Sequence, residues 1–134
     1  MDEVSLFEKY KLELNEDLQL DDFSMKEKQM MMPTIKHKWV GRNMDQRKER
    51  DDLKDVRKNA IIKVVEKLRR EAVVALSDKS LILKAEEHEL IKKIDGKIRD
   101  CDHLIAYLEK MEKVLSQATF DIKNVIDIRK LELT

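Results

Sequence analysis

The sequence predicts an all-α fold built from long helices, and three observations support this prediction. Gly and Pro are rare, with two Gly and one Pro in 134 residues, whereas strand-rich folds need turn residues roughly every ten positions. Charged and hydrophobic residues each make up 42% of the chain, a mixture typical of long helices and coiled coils. Aromatic residues make up only 4%. We therefore expect an elongated helical protomer that assembles into an oligomer of the helix-bundle or coiled-coil type.

The N-terminal part is predicted to contain one short helix followed by a linker. Apolar side chains recur at helical spacing over Val4–Leu14, which indicates a helix there. Residues 15–23 are predicted to be the linker. Ser24 and Glu27 have the spacing of a capping box, and Pro33 is expected in the first turn of the next helix, where its missing N–H costs nothing.

A long helix is predicted from Pro33 to about Leu76, because no residue firmly stops it. Gly41 can kink or interrupt it, since glycine costs about 1 kcal/mol against alanine inside a helix. Between Gly41 and Asp52 only Met44 is apolar, so this stretch cannot bury an apolar stripe. It must cross solvent, pair with another chain or contact something charged.

Charge is unevenly distributed along the chain, although the formal net charge is zero. Residues 1–23 contain eight acidic residues and two lysines, whereas residues 36–70 contain thirteen Lys or Arg and six Asp or Glu. This distribution indicates a polyanionic partner, with the acidic stretch bound to the basic surface or moderating it. The alternative is a basic helix face that is simply solvated.

Basic side chains are predicted to gather on one face of the long helix. At 100° per residue, five basic residues fall within one third of the helix circumference, and more follow after a short apolar stretch; the five are Arg47, Arg50, Lys54, Arg57 and Lys58. Such a row would neutralise phosphates and give sequence-independent, salt-sensitive binding. The predicted nucleic-acid contacts are Arg47, Arg50, Lys54, Arg57, Lys58, Lys67, Arg69 and Arg70.

The clearest periodicity is a heptad repeat in a helix predicted from about Leu81 to Leu115. Apolar residues at positions a, d and g form a seam wider than a two-stranded coiled coil needs. We expect this seam to join subunits, although a hairpin within the chain between residues 53–76 and 81–115 is the alternative. The predicted interface residues are Ile91, Ile94, Ile98, Cys101, Leu104, Ile105, Leu108, Leu115, Phe120 and Ile122.

Breaks are predicted on both sides of this heptad helix. Ser77–Ser80 is the expected break before it, and Ser116–Thr119 is the expected joint after it, with Thr119 as a possible N-cap. A final helix is predicted over Phe120–Leu131. Because a helix of this length is marginal alone in water, it needs a partner surface.

The sequence offers no constellation for catalysis, a cofactor or a metal. There is no Gly-rich phosphate loop, and Cys101-x-His103 is not a zinc-binding spacing. The carboxylates lie on charged faces without an apolar pocket to raise their pKa. We therefore expect a protein that is not an enzyme and needs no cofactor. No signal peptide and no apolar run of about 18–20 residues are present, so the cytoplasm is the expected compartment and no membrane contact is expected.

Two stretches resemble the UvsY family of recombination mediators from T-even-like phages. Pro33–Trp39 and the basic helix after it are similar to the entry to the DNA-binding region of that family. Phe120–Glu132 resembles the family's C-terminal pattern, in which Phe-x-Ile-Lys is followed by an aliphatic residue, Asp-[Ile/Met]-Arg and Glu. The resemblance covers roughly residues 33–76 and 90–132. The chain departs from the family at Ala72–Ala75, where the family has a Tyr-Tyr-Ser-Gly-like stretch.

The resemblance implies a function and a division of the chain. It implies a ring-like homo-oligomer of six or seven subunits that binds single-stranded DNA without sequence preference. Such mediators help a RecA-like recombinase load onto DNA covered by a single-strand-binding protein, and they hydrolyse no ATP. The chain would then comprise an acidic N-terminal segment (1–32), a basic helical DNA-binding region (33–76) and a helical oligomerisation region (77–134). A phage-encoded chain would act in the host cytoplasm. The alternative is a structural coiled-coil or adaptor protein with no affinity for nucleic acid.

Overall fold

The computed structural model of the chain describes residues 5–19 and 25–133. Helices account for 91% of these described residues, and no strand occurs among them. The predicted all-α class is therefore confirmed. The helices are α1 (Leu6–Leu18), α2 (Met25–Glu71), α3 (Asp78–Glu86) and α4 (Glu89–Glu132).

Helix α1 is longer at its C-terminal end than the predicted Val4–Leu14. The Ser5 hydroxyl oxygen accepts a hydrogen bond from the Glu8 backbone N–H at 3.2 Å and caps the first turn. Residues 15–18, predicted as linker, continue the helix. They stay helical because Asp17 lies on the side of α1 that contacts α2, where its carboxylate accepts two hydrogen bonds.

Helix α2 contains Pro33 in its interior, so the prediction that Pro33 lies in the first turn is wrong. Proline has no N–H to donate to the carbonyl of Gln29, four residues earlier, and this costs one helical hydrogen bond. Burial of Met32 beside it holds the segment in place. The capping box predicted at Ser24 and residues 20–23 of the predicted linker lie outside the described residues.

Helix α2 continues through Gly41 and ends at Glu71, before the predicted Leu76. Gly41 has no positive φ, and a Cβ added there would meet no neighbouring atom within 4 Å. Nothing in its surroundings therefore requires a kink. The predicted break at Ser77–Ser80 is the start of α3, because the Ser77 hydroxyl accepts the Ser80 backbone N–H at 3.2 Å.

The single helix predicted from Leu81 to Leu115 is in fact two helices. Glu87 and His88 form a turn in which the His88 N–H donates to the Ala85 carbonyl at 3.0 Å. The Leu90 N–H donates to His88 Nδ1 at 3.1 Å. This side-chain acceptor caps the new N-terminus, so α4 begins as a separate helix.

The joint predicted at Ser116–Thr119 is wrong, because α4 is continuous through it to Glu132. The Thr119 hydroxyl donates to the Leu115 carbonyl at 2.9 Å instead of capping a new helix. Leu115 and Ile122, two turns apart, are both fully buried. Packing on both sides of the predicted joint therefore keeps the helix intact. The final helix predicted over Phe120–Leu131 is the C-terminal part of α4.

The described residues pack as two units. The α1 unit contains α1, the part of α2 that ends at Asn43 and the part of α4 that starts at Ala106. The α3 unit comprises Met44–Ile105 and contains the remainder of α2, α3 and the first part of α4. Each unit has its own buried apolar residues. The three regions inferred from the sequence have other boundaries, and their functional assignment stays a prediction.

The heptad seam lies largely in the cores of these two units. Eight of the ten predicted interface residues are buried within the chain, whereas Ile98 is half-buried and Phe120 is 63% exposed. The seam is not an exposed patch on a single subunit, because α2 covers it in the α3 unit, where Arg57 also pairs with Asp95 of α4. Contacts between subunits at these positions stay a prediction. The buried eight are Ile91, Ile94, Cys101, Leu104, Ile105, Leu108, Leu115 and Ile122.

Candidate nucleic-acid interface

All the basic residues predicted to contact nucleic acid lie on α2 within the α3 unit. Two of them, Arg50 and Arg57, are half-buried. The others are exposed and can be reached by a ligand; they are Arg47, Lys54, Lys58, Lys67, Arg69 and Arg70.

The two half-buried arginines pair with carboxylates of α4. Arg57 Nε donates to Asp95 Oδ1 at 2.6 Å. Arg50 Nη1 lies 3.6 Å from Asp102 Oδ1, and its Nε donates to Asp51 Oδ1 at 3.5 Å. Because these carboxylates already neutralise them, Arg50 and Arg57 have less charge to offer a phosphate. These pairs join α2 to α4, and the predicted contact of Arg50 and Arg57 with nucleic acid stays a prediction.

The exposed lysines of α2 have no such partners. Lys54 and Lys58 make no ion pair with any residue that the structure describes. Arg69 pairs with Asp78 in the first turn of α3. Both of these side chains are mostly exposed, so water screens the pair and a phosphate can compete for the arginine.

The exposed cations divide between two sides of α2. At about 100° per residue, Arg47, Lys54, Lys58 and Arg69 lie on one side. Lys67 falls roughly opposite to them and lines a separate groove of about 400 Å³ with Lys63 and His88; Arg70 also falls on that opposite side. Four of the eight predicted contact residues are therefore exposed cations on one side of α2.

Lys54 and Lys58 border an open groove of about 600 Å³ between α2, α3 and α4. Its lining combines charged residues, among them Glu86, with isoleucines such as Ile62 and Ile82, which are 50% and 42% exposed. No aromatic residue occurs between positions 44 and 105. A strand bound here would therefore be held through its phosphates, without the base stacking that aromatic side chains provide.

The basic residues nearer the start of α2 are in a different situation, because α1 neutralises them. Lys38 Nζ lies 3.0 Å from Glu13 Oε1 and 2.7 Å from Asp17 Oδ2. Arg42 pairs with the other oxygen of Glu13, and the Trp39 indole N–H donates to Asp17 Oδ2 at 2.8 Å. We call these five residues the α1 cluster.

Aromatic packing surrounds the α1 cluster. The rings of Tyr10 and Trp39 meet edge to face with centroids 5.4 Å apart. The Arg42 guanidinium carbon lies 4.6 Å from the Trp39 ring centroid and 5.0 Å from that of Tyr10. Such cation–π contacts contribute about 0.5–2 kcal/mol. Trp39 is fully buried, so its indole is shielded from solvent.

The charges of the α1 cluster reinforce one another. The Arg42 hydrogen bond holds the pKa of the Glu13 carboxyl below its ordinary value; burial opposes this shift, and Lys38 adds to it. Burial lowers the pKa of Lys38, but the hydrogen bonds and charges of Asp17 and Glu13 outweigh it and raise that pKa. Both groups therefore stay charged across the neutral range.

The sequence prediction did not include the α1 cluster among the candidate site residues. It proposed only that the acidic stretch binds or moderates a basic surface. A sharper signal was available: Glu13 and Asp17 are four residues apart, as are Lys38 and Arg42. Each pair therefore lies on one helix face.

The described part of the chain holds no group of three or more His, Cys, Asp or Glu side chains that could bind a metal ion. Cys101 is buried. Burial, followed by the charge of Glu49 and two aspartates, raises the pKa of its thiol, which makes it a weak nucleophile. None of the described helices combines the length and the apolar character needed to cross a membrane.

Comparison with known families shows which family this helical chain belongs to. Residues 13–133 match the sequence profile of the family described as "Recombination, repair and ssDNA binding protein UvsY". The chain belongs to the UvsY family. The resemblance seen in the sequence is therefore confirmed, and the matched range of the UvsY family includes the α1 cluster and every basic residue discussed above.

Solved UvsY structures share the fold. The crystal structure of the bacteriophage T4 recombination mediator protein UvsY in lattice type IV matches with a TM-score of 0.80 and 16% identity, covering 96% of this chain and 99% of that one. The lattice type II structure matches with a TM-score of 0.76 and 16% identity, covering 98% and 100%. At this identity the likeness to T4 UvsY shows the fold alone. No curated protein sequence matches the chain.

Proposed function

We propose that this chain is a recombination mediator that binds single-stranded DNA without sequence preference and helps to load a RecA-like recombinase onto DNA covered by a single-strand-binding protein. Membership of a recombination, repair and ssDNA-binding family supports the general role. The observation that supports the proposed DNA contact is the set of exposed cations on one side of α2: Arg47, Lys54, Lys58 and Arg69.

The proposed contact is electrostatic and independent of sequence. Phosphates would lie along this side of α2 and displace condensed counterions, so affinity would fall steeply with salt. If each of the four cations neutralises one phosphate, log K against log salt would have a slope of about −2.8 per subunit, at about 0.7 per contact. The absence of aromatic residues between positions 44 and 105 supports binding without base recognition.

The proposal includes assembly into a homo-oligomer, with six or seven subunits as the expected number. Exposed apolar residues near the C-terminus of α4 support a contact between copies: Phe120, Ile128 and Leu131 are 63%, 54% and 73% exposed. At about 100° per residue they share one helix face. Several copies on one strand would raise the overall affinity through effective concentration. The proposed role involves no covalent chemistry and would be carried out in the host cytoplasm.

The test compares two double variants on an oligo(dT) strand over a salt series. Lys54→Ala with Lys58→Ala should weaken binding and make the salt slope shallower by about 1.4, because two phosphate contacts are lost. Lys92→Ala with Lys97→Ala is the matched control, since these exposed lysines lie on α4 of the same unit, and its slope should equal that of the wild type.

Two results would contradict the proposal. If both double variants have the same salt slope, Lys54 and Lys58 do not contact the DNA. A wild-type protein that forms the oligomer in light scattering but does not bind oligo(dT) would favour the adaptor alternative. The loading step is tested by strand exchange with the recombinase and single-strand-binding protein from the same source, where the wild type should shorten the lag and the Lys54/Lys58 variant should not.

A further inference from the structure

Much of the contact between α1 and α2 is ionic. Of the α1 residues, only Leu14 is fully buried. The ion-paired side chains remain partly exposed, with Lys38 at 33% and Glu13 at 36%. A helix of 13 residues is marginal alone in water. Partly exposed ion pairs are open to screening and to competition by other anions. A polyanion can therefore replace the ionic contacts of α1, whereas the buried Leu14 and the ring contact of Tyr10 with Trp39 are apolar and must separate for α1 to leave.

The α2 side of the contact contains the kinds of group that bind a single nucleic-acid strand, namely cations for the phosphates and an aromatic ring for a base. Lys38 and Arg42 are cations one helical turn apart, and each pairs with a carboxylate of α1 while lying over the Trp39 ring. Trp39 between them offers an indole ring on which a base can stack. The α1 side supplies two carboxylates, Glu13 and Asp17, each of which accepts from two donors.

The geometry points to a second site for single-stranded DNA at Lys38, Trp39 and Arg42, which Glu13 and Asp17 of α1 occupy when no strand is bound. Phosphates replace the two carboxylates on Lys38 and Arg42. Displacement of α1 then uncovers the indole, and a base stacks on it. This inference rests on the proposed single-stranded DNA binding, and it adds the aromatic contact that residues 44–105 lack.

The first experiment removes the competing carboxylates. Glu13→Gln with Asp17→Asn should bind oligo(dT) more tightly and steepen the salt slope by about 1.4, because two more cations engage phosphates. Glu8→Gln with Glu16→Gln is the control: it removes the same two charges from exposed positions of α1 that make no ion pair with described residues. Its slope should equal the wild-type slope. Adding Lys38→Ala and Arg42→Ala to the first variant should abolish the gain.

The second experiment uses the wild type and so does not depend on a variant folding. The chain has a single tryptophan, so its fluorescence reports Trp39 alone. Saturating oligo(dT) should quench and shift this emission, and an abasic strand of equal length should quench it much less. Circular dichroism of the Glu13/Asp17 variant should show a loss of helix content no larger than the 13 residues of α1.

The outcomes separate this inference from the proposed function. Full binding by anisotropy with unchanged Trp39 emission, and equal slopes for the Glu13/Asp17 and Glu8/Glu16 variants, would overturn the second site and leave the Lys54/Lys58 contact standing. No binding by any of these proteins would overturn both.

Discussion

The α1 unit and the α3 unit use basic side chains of the same helix in different ways. In the α1 unit, Lys38 and Arg42 meet the carboxylates of α1. In the α3 unit, Lys54 and Lys58 face solvent and meet no carboxylate among the described residues. The residue types and the helix are the same, so the difference lies in what the rest of the fold places opposite them. A count of charges along a sequence therefore does not locate a binding surface.

The two units also differ in how their cores are built. The described aromatic residues all lie in the α1 unit, where Trp39 is fully buried between Tyr10 and the α1 cluster. The α3 unit is filled by aliphatic side chains such as Ile91 and Leu104. Both units bury aliphatic side chains, and the α1 unit adds a fully buried indole.

The largest expected effect is a loss of stability when the central side chain of the α1 unit is removed. Trp39→Ala should lower the free energy of unfolding by about 3–5 kcal/mol, because it removes a fully buried indole and leaves a cavity. Leu12→Ala is the control on α1, since Leu12 is 63% exposed, and it should change stability by about 0.5 kcal/mol or less. Urea denaturation followed by circular dichroism measures both. A loss below about 1 kcal/mol for Trp39→Ala would show that the α1 unit does not depend on this residue.

A smaller effect is expected when ion-paired and solvent-exposed cations of the α3 unit are compared by their contributions to stability and to DNA binding. Arg57→Ala should lower the free energy of unfolding by about 1 kcal/mol, because Asp95 loses its partner, and should leave the salt slope of oligo(dT) binding nearly unchanged. Lys54→Ala should leave stability within about 0.5 kcal/mol and make the slope shallower by about 0.7. If both variants change the slope equally, the ion pair with Asp95 does not withdraw Arg57 from the strand.

The smallest expected effect concerns pH and the α1 cluster. The lowered pKa of Glu13 means that its contribution to stability is present above the ordinary value of 4.5 and is lost as pH falls through the lowered folded value. The raised pKa of Lys38 confines its loss to strongly alkaline pH. Trp39 fluorescence should therefore be constant near neutrality and change in acid below that value. Glu13→Gln should reduce the acid transition, and an identical transition in that variant would contradict the assignment.

Composition and periodicity were enough to predict the helical class and the apolar seam. They failed where packing overrides local signals. Pro33 is typical of a helix start, yet α2 continues through it because the neighbouring Met32 and Ile35 are buried. Thr119 reads as an N-cap, yet Leu115 and Ile122 are buried on either side of it and keep α4 whole. The break at His88 was not foreseen, because its cap depends on a side-chain nitrogen and residues 77–95 contain neither Gly nor Pro.

The candidate site was predicted in part. The helical wheel placed Lys54 and Lys58 together on one face, which agrees with their common groove. It could not reveal the ion pair between Arg57 and Asp95, which lies 38 positions farther along the chain. It also could not show that α1 covers Lys38 and Arg42. Both facts depend on long-range packing, which a single helix pattern does not contain.

The buried Cys101 has a practical consequence for studying this chain. It is the sole thiol in the sequence, it is sealed in the α3 unit, and its raised pKa keeps it in the unreactive protonated form. A cysteine introduced at an exposed position would therefore react with maleimide dyes or spin labels well ahead of the native one. Site-specific labels can be attached without first removing a side chain that packs against α2.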